Sequence, residues 1–435
     1  MIEKLISVPF FQLIRHKSVQ NFIFLLIIQS SNILISLIVM PLLIQSIGVD
    51  QFGLVSLALS VILIANVFIG FGYNLSGPRE VALNQKDKNS LSEILSTVIS
   101  SKLVLAVLAA VSLLVAVKGF GLFPEYQVIL LYSLLMLFSE ATLPVWFFQG
   151  MEKMKLVSAA NVFSKLLYLT GIVLFIQGPD DAKWVNFFFG GSAVLINLLL
   201  LAYVHFQFRI ALVFSNWRSI ISSLKDNIYL FLSAFANHIA VNGGIVVLSF
   251  FASAEMLGMY SLAERVSLVL RIVPALIAQA IYPNAAKLYE SDIQGFYRFM
   301  KKVYASTLIL CGLMVGIISL LAPFIIRLLA KEPLPESVLY LRILVFVPMI
   351  ASLNAGNTVL LLIADKKYLL FNASWIMLLA MLVSAVTATT LFGTVGLCTA
   401  MVMSELFVFL LTFWIILKKC PELIRGFYGK SRNGQ

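Results

Sequence analysis

Charge is scarce in this chain. Asp, Glu, Lys and Arg together make up 12% of its 435 residues, and cysteine and histidine occur three times each. The cysteines, Cys311, Cys398 and Cys420, are far apart and show no CxxC spacing. That pattern excludes a disulfide framework or a zinc site and leaves them as small apolar core residues. No GxxxxGK[ST] loop occurs, so ATP is not the expected direct energy source. The glycines of GFGYNLSG, Gly70 to Gly77, lack both the spacing and the strand-loop-helix context of a dinucleotide fingerprint. With few histidines and no nucleophile motif, an enzyme is not expected, and neither is a cofactor.

What is abundant is apolar surface. Hydrophobic residues account for 61% of the chain, and the mean hydropathy is +1.00. A water-soluble core cannot absorb that much. Apolar runs long enough to cross a hydrocarbon layer of about 30 Å as helices recur along the chain. They place twelve spans at 21–44, 52–73, 93–117, 126–148, 155–177, 184–204, 227–251, 257–282, 303–323, 337–363, 368–391 and 394–417. The runs are too long and too uniformly apolar for the short alternating strands of a membrane barrel, so the expected fold is all-α, a polytopic helical membrane protein. Residues 1–20 lack a small-residue cleavage site and read as an amphipathic helix lying at the membrane surface.

The formal net charge is +11, and its distribution explains it. The N-terminal segment and the loops after even-numbered spans hold most of the lysines and arginines, among them Lys4, Arg15, Arg79, Lys86, Lys153, Lys155, Arg218, Lys301 and Lys366. A basic tail adds Lys418, Lys419, Arg425, Lys430 and Arg432, whereas the opposite loops hold Lys118, Lys183, Arg327 and Lys331. The positive-inside rule then puts both termini in the cytoplasm. The excess charge reports topology, not a nucleic-acid partner.

The sequence also matches itself. At an offset of 205 residues GLVSLA (Gly53 to Ala58) overlays GMYSLA (Gly258 to Ala263), and Asn32, Pro78 and Asp87 pair with Asn237, Pro283 and Asp292. A six-helix unit used twice in the same orientation predicts two pseudo-symmetric bundles around a central cavity. The expected organisation is an interfacial helix 1–20, a six-helix bundle 21–204, a cytoplasmic linker 205–225, a second bundle 226–417 and a basic tail 418–435.

Polar residues inside spans are the functional signal, because a central Lys, Arg or carboxylate costs about 2.5–3.5 kcal/mol against lipid. Glu264 and Arg271 are seven apart and share a helix face, with Arg265 beside them. Ser158, Asn161, Lys165 and Tyr168 share another face, and Gln29, Asn32 and Ser36 a third. Lys102, Glu140, Arg342 and Glu405 lie within other spans. Basic residues outnumber acidic ones there, so the interior is expected to be net positive and suited to an anion. Two alternatives stay open: Glu264 with Arg265 or Arg271 as an ion pair that only fixes packing, and Lys102 and Arg342 reaching out to the interfaces. Gly312 and Gly316 form a GxxxG, read as helix packing.

The stretch NFIFLLIIQSSNILISLIVMPLLIQSIGVDQFG, the segment GPREVA, the turn VWFFQGMEKMK, and LGMYSLAERV with IYPNAAKLYE together resemble the Wzx or O-antigen type of polysaccharide-export flippase. That type belongs to the superfamily that includes multidrug and toxin extrusion antiporters. The resemblance implies translocation of an undecaprenyl-pyrophosphate-linked oligosaccharide from the cytoplasmic to the periplasmic leaflet of the bacterial inner membrane, in concert with polymerase and chain-length machinery. It implies a phosphate site at Lys165, Arg265 and Arg271, with Asn32, Asn161 and Asn237 on sugar or phosphate oxygens and Arg79 at the cytoplasmic mouth. Ion coupling through Glu264 or Glu405 is a further expectation. A lipid II flippase and a cation-coupled drug exporter rank second and third, because the first span lacks the charged residues those relatives carry there.

Overall fold

The computed structural model describes residues 17–121 and 124–424. Most of the expected interfacial helix and residues 425–435 of the expected tail lie outside these ranges. No strand occurs among the described residues, and the α-helices follow one another as α1 (Lys17–Gly70), α2 (Tyr73–Leu83), α3 (Lys88–Leu114), α4 (Gln127–Ser133), α5 (Leu135–Thr142), α6 (Val145–Gly150), α7 (Met154–Phe175) and α8 (Ala182–Phe208), then α9 (Trp217–Asn242), α10 (Gly244–Leu248), α11 (Ala254–Leu270), α12 (Ile272–Ser291), α13 (Ile293–Ala330), α14 (Pro335–Leu344), α15 (Phe346–Ile363) and α16 (Lys367–Lys419). The fold is a membrane helical one, as its composition requires.

Among the described residues nine helical segments are long and apolar enough to cross a membrane. Two of them far exceed one crossing: α1 has 54 residues and α16 has 53, and a straight helix of either length would run for about 80 Å. Each is interrupted at a glycine with non-helical backbone, Gly48 at φ 84° and Gly393 at φ 60°. A side chain at either position would be held in a backbone region that L-residues rarely adopt. At Gly393 a Cβ would meet nothing within 4 Å, so the backbone conformation, not space, calls for glycine there. These breaks fall in the sequence gaps between expected spans one and two and between eleven and twelve.

The chain divides into two compact units, Met1–Phe235 and Ala236–Gln435, and the division falls inside α9. In the first unit α7 packs on α1 and on α8, and α8 packs on α5. Asn186 of α8 ties α8 to two neighbours: its amide donates to the Val55 carbonyl at 3.2 Å and to Ser133 Oγ at 2.9 Å. The segment after α8 is strapped along one face of α3. Ser92 Oγ donates to the Ala211 carbonyl at 2.6 Å, while the Val213 and Ser215 N–H groups donate to Ser96 and Ser100. In the second unit Asn357 plays a part like that of Asn186. Its amide donates to the Phe409 carbonyl and to Thr412 Oγ1, and its oxygen accepts from Tyr304 Oη at 2.6 Å. Without water, buried amides need such partners.

Some positions paired by the sequence offset share local features. Asp87 caps α3 and Asp292 caps α13, each accepting a backbone N–H from the first turn. Pro78 lies inside α2 and Pro283 inside α12. Ser56 and Ser261 are both buried hydroxyls without a hydrogen-bond partner.

The outer surface is apolar. On α13 the side chains of Leu308, Ile309, Leu310, Leu313, Ile317 and Leu320 are all exposed, a surface that belongs in lipid. Gly312 and Gly316 lie on this helix, and a Cβ at either would meet nothing within 4 Å. The GxxxG thus packs against no other described helix, which corrects the packing expected of it. The three cysteines are buried.

Candidate functional site

Two sequence motifs meet in a tight joint in the first unit. GPREVA lies in α2 and VWFFQG forms α6, and these helices pack together. A Cβ at Gly77 would sit 2.6 Å from the Trp146 indole, and one at Gly150 would sit 2.6 Å from Val81 Cβ and 2.7 Å from the Pro78 carbonyl oxygen. Small residues therefore let the two helices touch. Arg79 stands on the exposed side of α2.

The polar stripe on α7 is brought together. Ser158, Lys165 and Tyr168 are buried, and Asn161 is half-buried. Asn161 Oδ1 accepts from Ser31 Oγ of α1 at 3.1 Å. Lys165 Nζ lies 3.6 Å from the centre of the Phe189 ring on α8, and Tyr168 meets the same ring edge-on with centroids 5.2 Å apart. The site thus seats an ammonium on an aromatic face, an attraction of about 2 kcal/mol or more when desolvated. Among the described residues no carboxylate lies within ion-pair distance of Lys165. Asn32, on the same α1 helix as Ser31, is exposed.

Lys102 behaves differently. It is fully buried in α3 and pairs with Glu140 of α5 at 3.0 Å. The expectation that it reaches the interface is overturned, because a carboxylate brought close by the packing of α3 on α5 neutralises it in place. Arg342 of α14 is exposed, and its Nε donates to the Ser319 carbonyl at 3.1 Å.

In the second unit Glu264 is buried in α11 and accepts a hydrogen bond from Tyr260 Oη at 3.0 Å, one turn earlier. Arg271 sits where α11 ends and α12 begins. Its guanidinium reaches across to Glu405 of α16 at 2.5 Å. Helical periodicity places Glu264 and Arg271 on one helix face, but Arg271 lies at the helix junction and its ion-pair partner is Glu405. Arg265 is half-buried beside them, and Asn237 of α9 is exposed. The signal that sequence reasoning missed is the mutual pairing of Lys102 with Glu140 and Arg271 with Glu405. The first pair joins two successive expected spans, and the second joins residues 134 positions apart.

The family described as "Polysaccharide biosynthesis protein" matches this chain over residues 18–289. The chain belongs to that family. Two relatives bear the name "Putative O-antigen transporter": one from Escherichia coli strain K12, 26% identical over 395 residues that cover 89% of this chain and 93% of that protein, and one from Shigella dysenteriae, 23% identical over 82% of this chain and 89% of that protein. Among solved structures, the lipid II flippase MurJ in an inward closed conformation superposes with a TM-score of 0.69 at 14% identity over 95% of this chain and 94% of that one. The multidrug transporter DinF-BH superposes with a TM-score of 0.63 at 15% identity over 96% and 97% of the two chains. At such identities the likeness is one of fold. Family members and structural neighbours alike are transporters rather than enzymes, and this family member is a multi-pass membrane protein.

Proposed function

We propose that the protein is a flippase for a polyprenyl-pyrophosphate-linked oligosaccharide, an O-antigen repeat unit or one like it. It carries this lipid from the cytoplasmic to the periplasmic leaflet of the inner membrane by alternating access, with both termini cytoplasmic and an ion gradient biasing the cycle. The observation that supports this reading most is Lys165. Desolvation makes a buried ammonium costly, and here an aromatic ring rather than a carboxylate faces it. An ammonium with no counter-charge among the described residues is suited to a pyrophosphate that arrives and leaves. Asn161 and Ser158 on the same face offer hydrogen bonds to phosphate or sugar oxygens. Arg265 and Arg271, with Asn237, are candidate phosphate and sugar ligands in the second unit, Asn32 is a further one in the first, and Arg79 captures the head group.

The test is complementation in a strain lacking its own flippase. A charge-assisted hydrogen bond contributes about 1.5–3 kcal/mol. Lys165→Gln is therefore expected to weaken pyrophosphate binding roughly ten- to a hundredfold. Lys165→Glu is expected to abolish surface polysaccharide while lipid-linked repeat units accumulate on the inner face. Full complementation by both variants would overturn the reading. Accumulation of a peptidoglycan precursor instead of glycan repeats would favour the lipid II alternative.

A further inference from the structure

A groove of about 710 Å³ opens on the first unit at the end where α1 and α7 both begin, and its volume lies within the range of ligand clefts. Its walls are apolar: Ile23 and Phe24 from α1, Leu156 and Ala159 from α7. Its rim is basic, carrying Lys153 and Lys155 against one carboxylate, Glu152. The rim is built with some strain, since Glu152 adopts a left-handed backbone at φ 56°. Lys153 is held in turn by its Nζ, 4.4 Å from the centre of the Phe208 ring. Further along both helices lies the Ser31–Asn161 hydrogen bond, and one turn beyond Asn161 comes Lys165. Lys155 and Lys165 are ten residues apart on one helix, about 15 Å.

A greasy trough with a cationic lip at one end of two spanning helices matches one kind of molecule, a long apolar chain with an anionic head. We propose that this groove is the entry site for the polyprenyl pyrophosphate. The isoprenyl chain lies along Ile23, Phe24, Leu156 and Ala159, the phosphates rest on Lys153 and Lys155, and the Ser31–Asn161 hydrogen bond must open before the pyrophosphate advances to Lys165. Charge complementarity selects the occupant: a neutral acyl chain would fill the trough but leave the lysines unanswered. This inference rests on the flippase reading.

The full-length protein in phosphatidylethanolamine nanodiscs is exposed to a polyprenyl pyrophosphate carrying a diazirine on its isoprenyl chain, irradiated, and mapped by peptide mass spectrometry. Labelling is expected in residues 20–24 and 154–159, at least tenfold above that by the same chain as a phosphate-free polyprenol. Lys153→Gln with Lys155→Gln should lower it fivefold or more; both lysines are exposed, so the double variant should fold. Lys165→Gln should leave labelling of the groove intact. Equal labelling by the polyprenol, or indifference to the double substitution, would overturn the entry site. Labelling that unlabelled pyrophosphate competes away but that maps elsewhere would refute the groove alone. The absence of any competable labelling would remove the flippase reading with it.

Discussion

Replacing Lys102 with methionine leaves Glu140 without its counter-charge, and the cost can be worked from the geometry. At 3.0 Å an effective dielectric of 20 gives an attraction of about 5–6 kcal/mol. The lysine side chain is wholly buried while that of Glu140 keeps 18% of its surface, so water relieves part of the orphaned charge. The expected loss is therefore about 3–4 kcal/mol, within the range of about 3–5 for breaking a buried pair. Glu140→Leu alone is expected to cost as much, because it strands a buried ammonium. The two together should fall within about 1–2 kcal/mol of the parent, since an apolar pair of similar volume escapes the desolvation penalty. The assay is equilibrium unfolding of the purified protein in mixed micelles by dodecyl sulfate, read as a double-mutant cycle, with export measured in parallel. A coupling energy below about 1 kcal/mol would refute the ion pair as a packing element. A double variant as stable as the parent but unable to export would refute the reasoning in another way, by assigning the pair to transport.

The second-unit pair predicts the opposite balance. Glu405→Gln removes the charge that occupies Arg271, so pyrophosphate should bind about tenfold tighter while export falls through slow release. Unchanged affinity and normal export would count against Arg271 as a phosphate ligand. At the α3 N-terminus, hydrogen bonds from the Ser90 hydroxyl and from the backbone N–H groups of Ser90 and Asn89 hold the Asp87 carboxyl below its usual range. Because the folded-state value lies below the unfolded one, this cap's stabilisation is complete above the ordinary carboxylate range and is lost as pH falls through the folded-state value. Asp87→Asn should accordingly flatten the acid limb of a thermal-unfolding profile, and identical acid limbs for variant and parent would refute it.

The fold was legible because its strongest determinants are local. A run of about 20 apolar residues has to be a membrane helix whatever its neighbours do, and a glycine at the boundary of two such runs is where the helix can be interrupted. Gly48 and Gly393 fall between expected spans for that reason. Asp87 and Asp292 were legible as a repeat pair, and capping follows from residue type and position. The GxxxG was misread because the pattern supplies only a smooth helix face, and nothing in the sequence says whether another helix of the same chain lies against it.

The site was legible only in part, and Arg271 shows why. Helical periodicity gave Glu264 as its neighbour, and the spacing is right, but periodicity describes one helix in isolation. Two facts outside that helix decide the pairing. Tyr260 already donates to Glu264 from the preceding turn, and Arg271 stands at the junction of α11 and α12, where its side chain can leave the stripe. Glu405, 134 residues on, takes it. Lys165 needed less, because its stripe of Ser158, Asn161 and Tyr168 lies within a single helix. Only the lack of a carboxylate partner among the described residues and the Phe189 ring had to come from packing. A buried charge that finds its opposite across the bundle is neutral to a passing anion until that bond breaks, whereas one that meets only a ring keeps its field. The sequence shows where charges enter the membrane, and packing decides which remain available to a substrate. In the first unit that sorting pairs Lys102 with Glu140 and leaves Lys165 on the Phe189 ring, which is why the proposed phosphate site is built on Lys165.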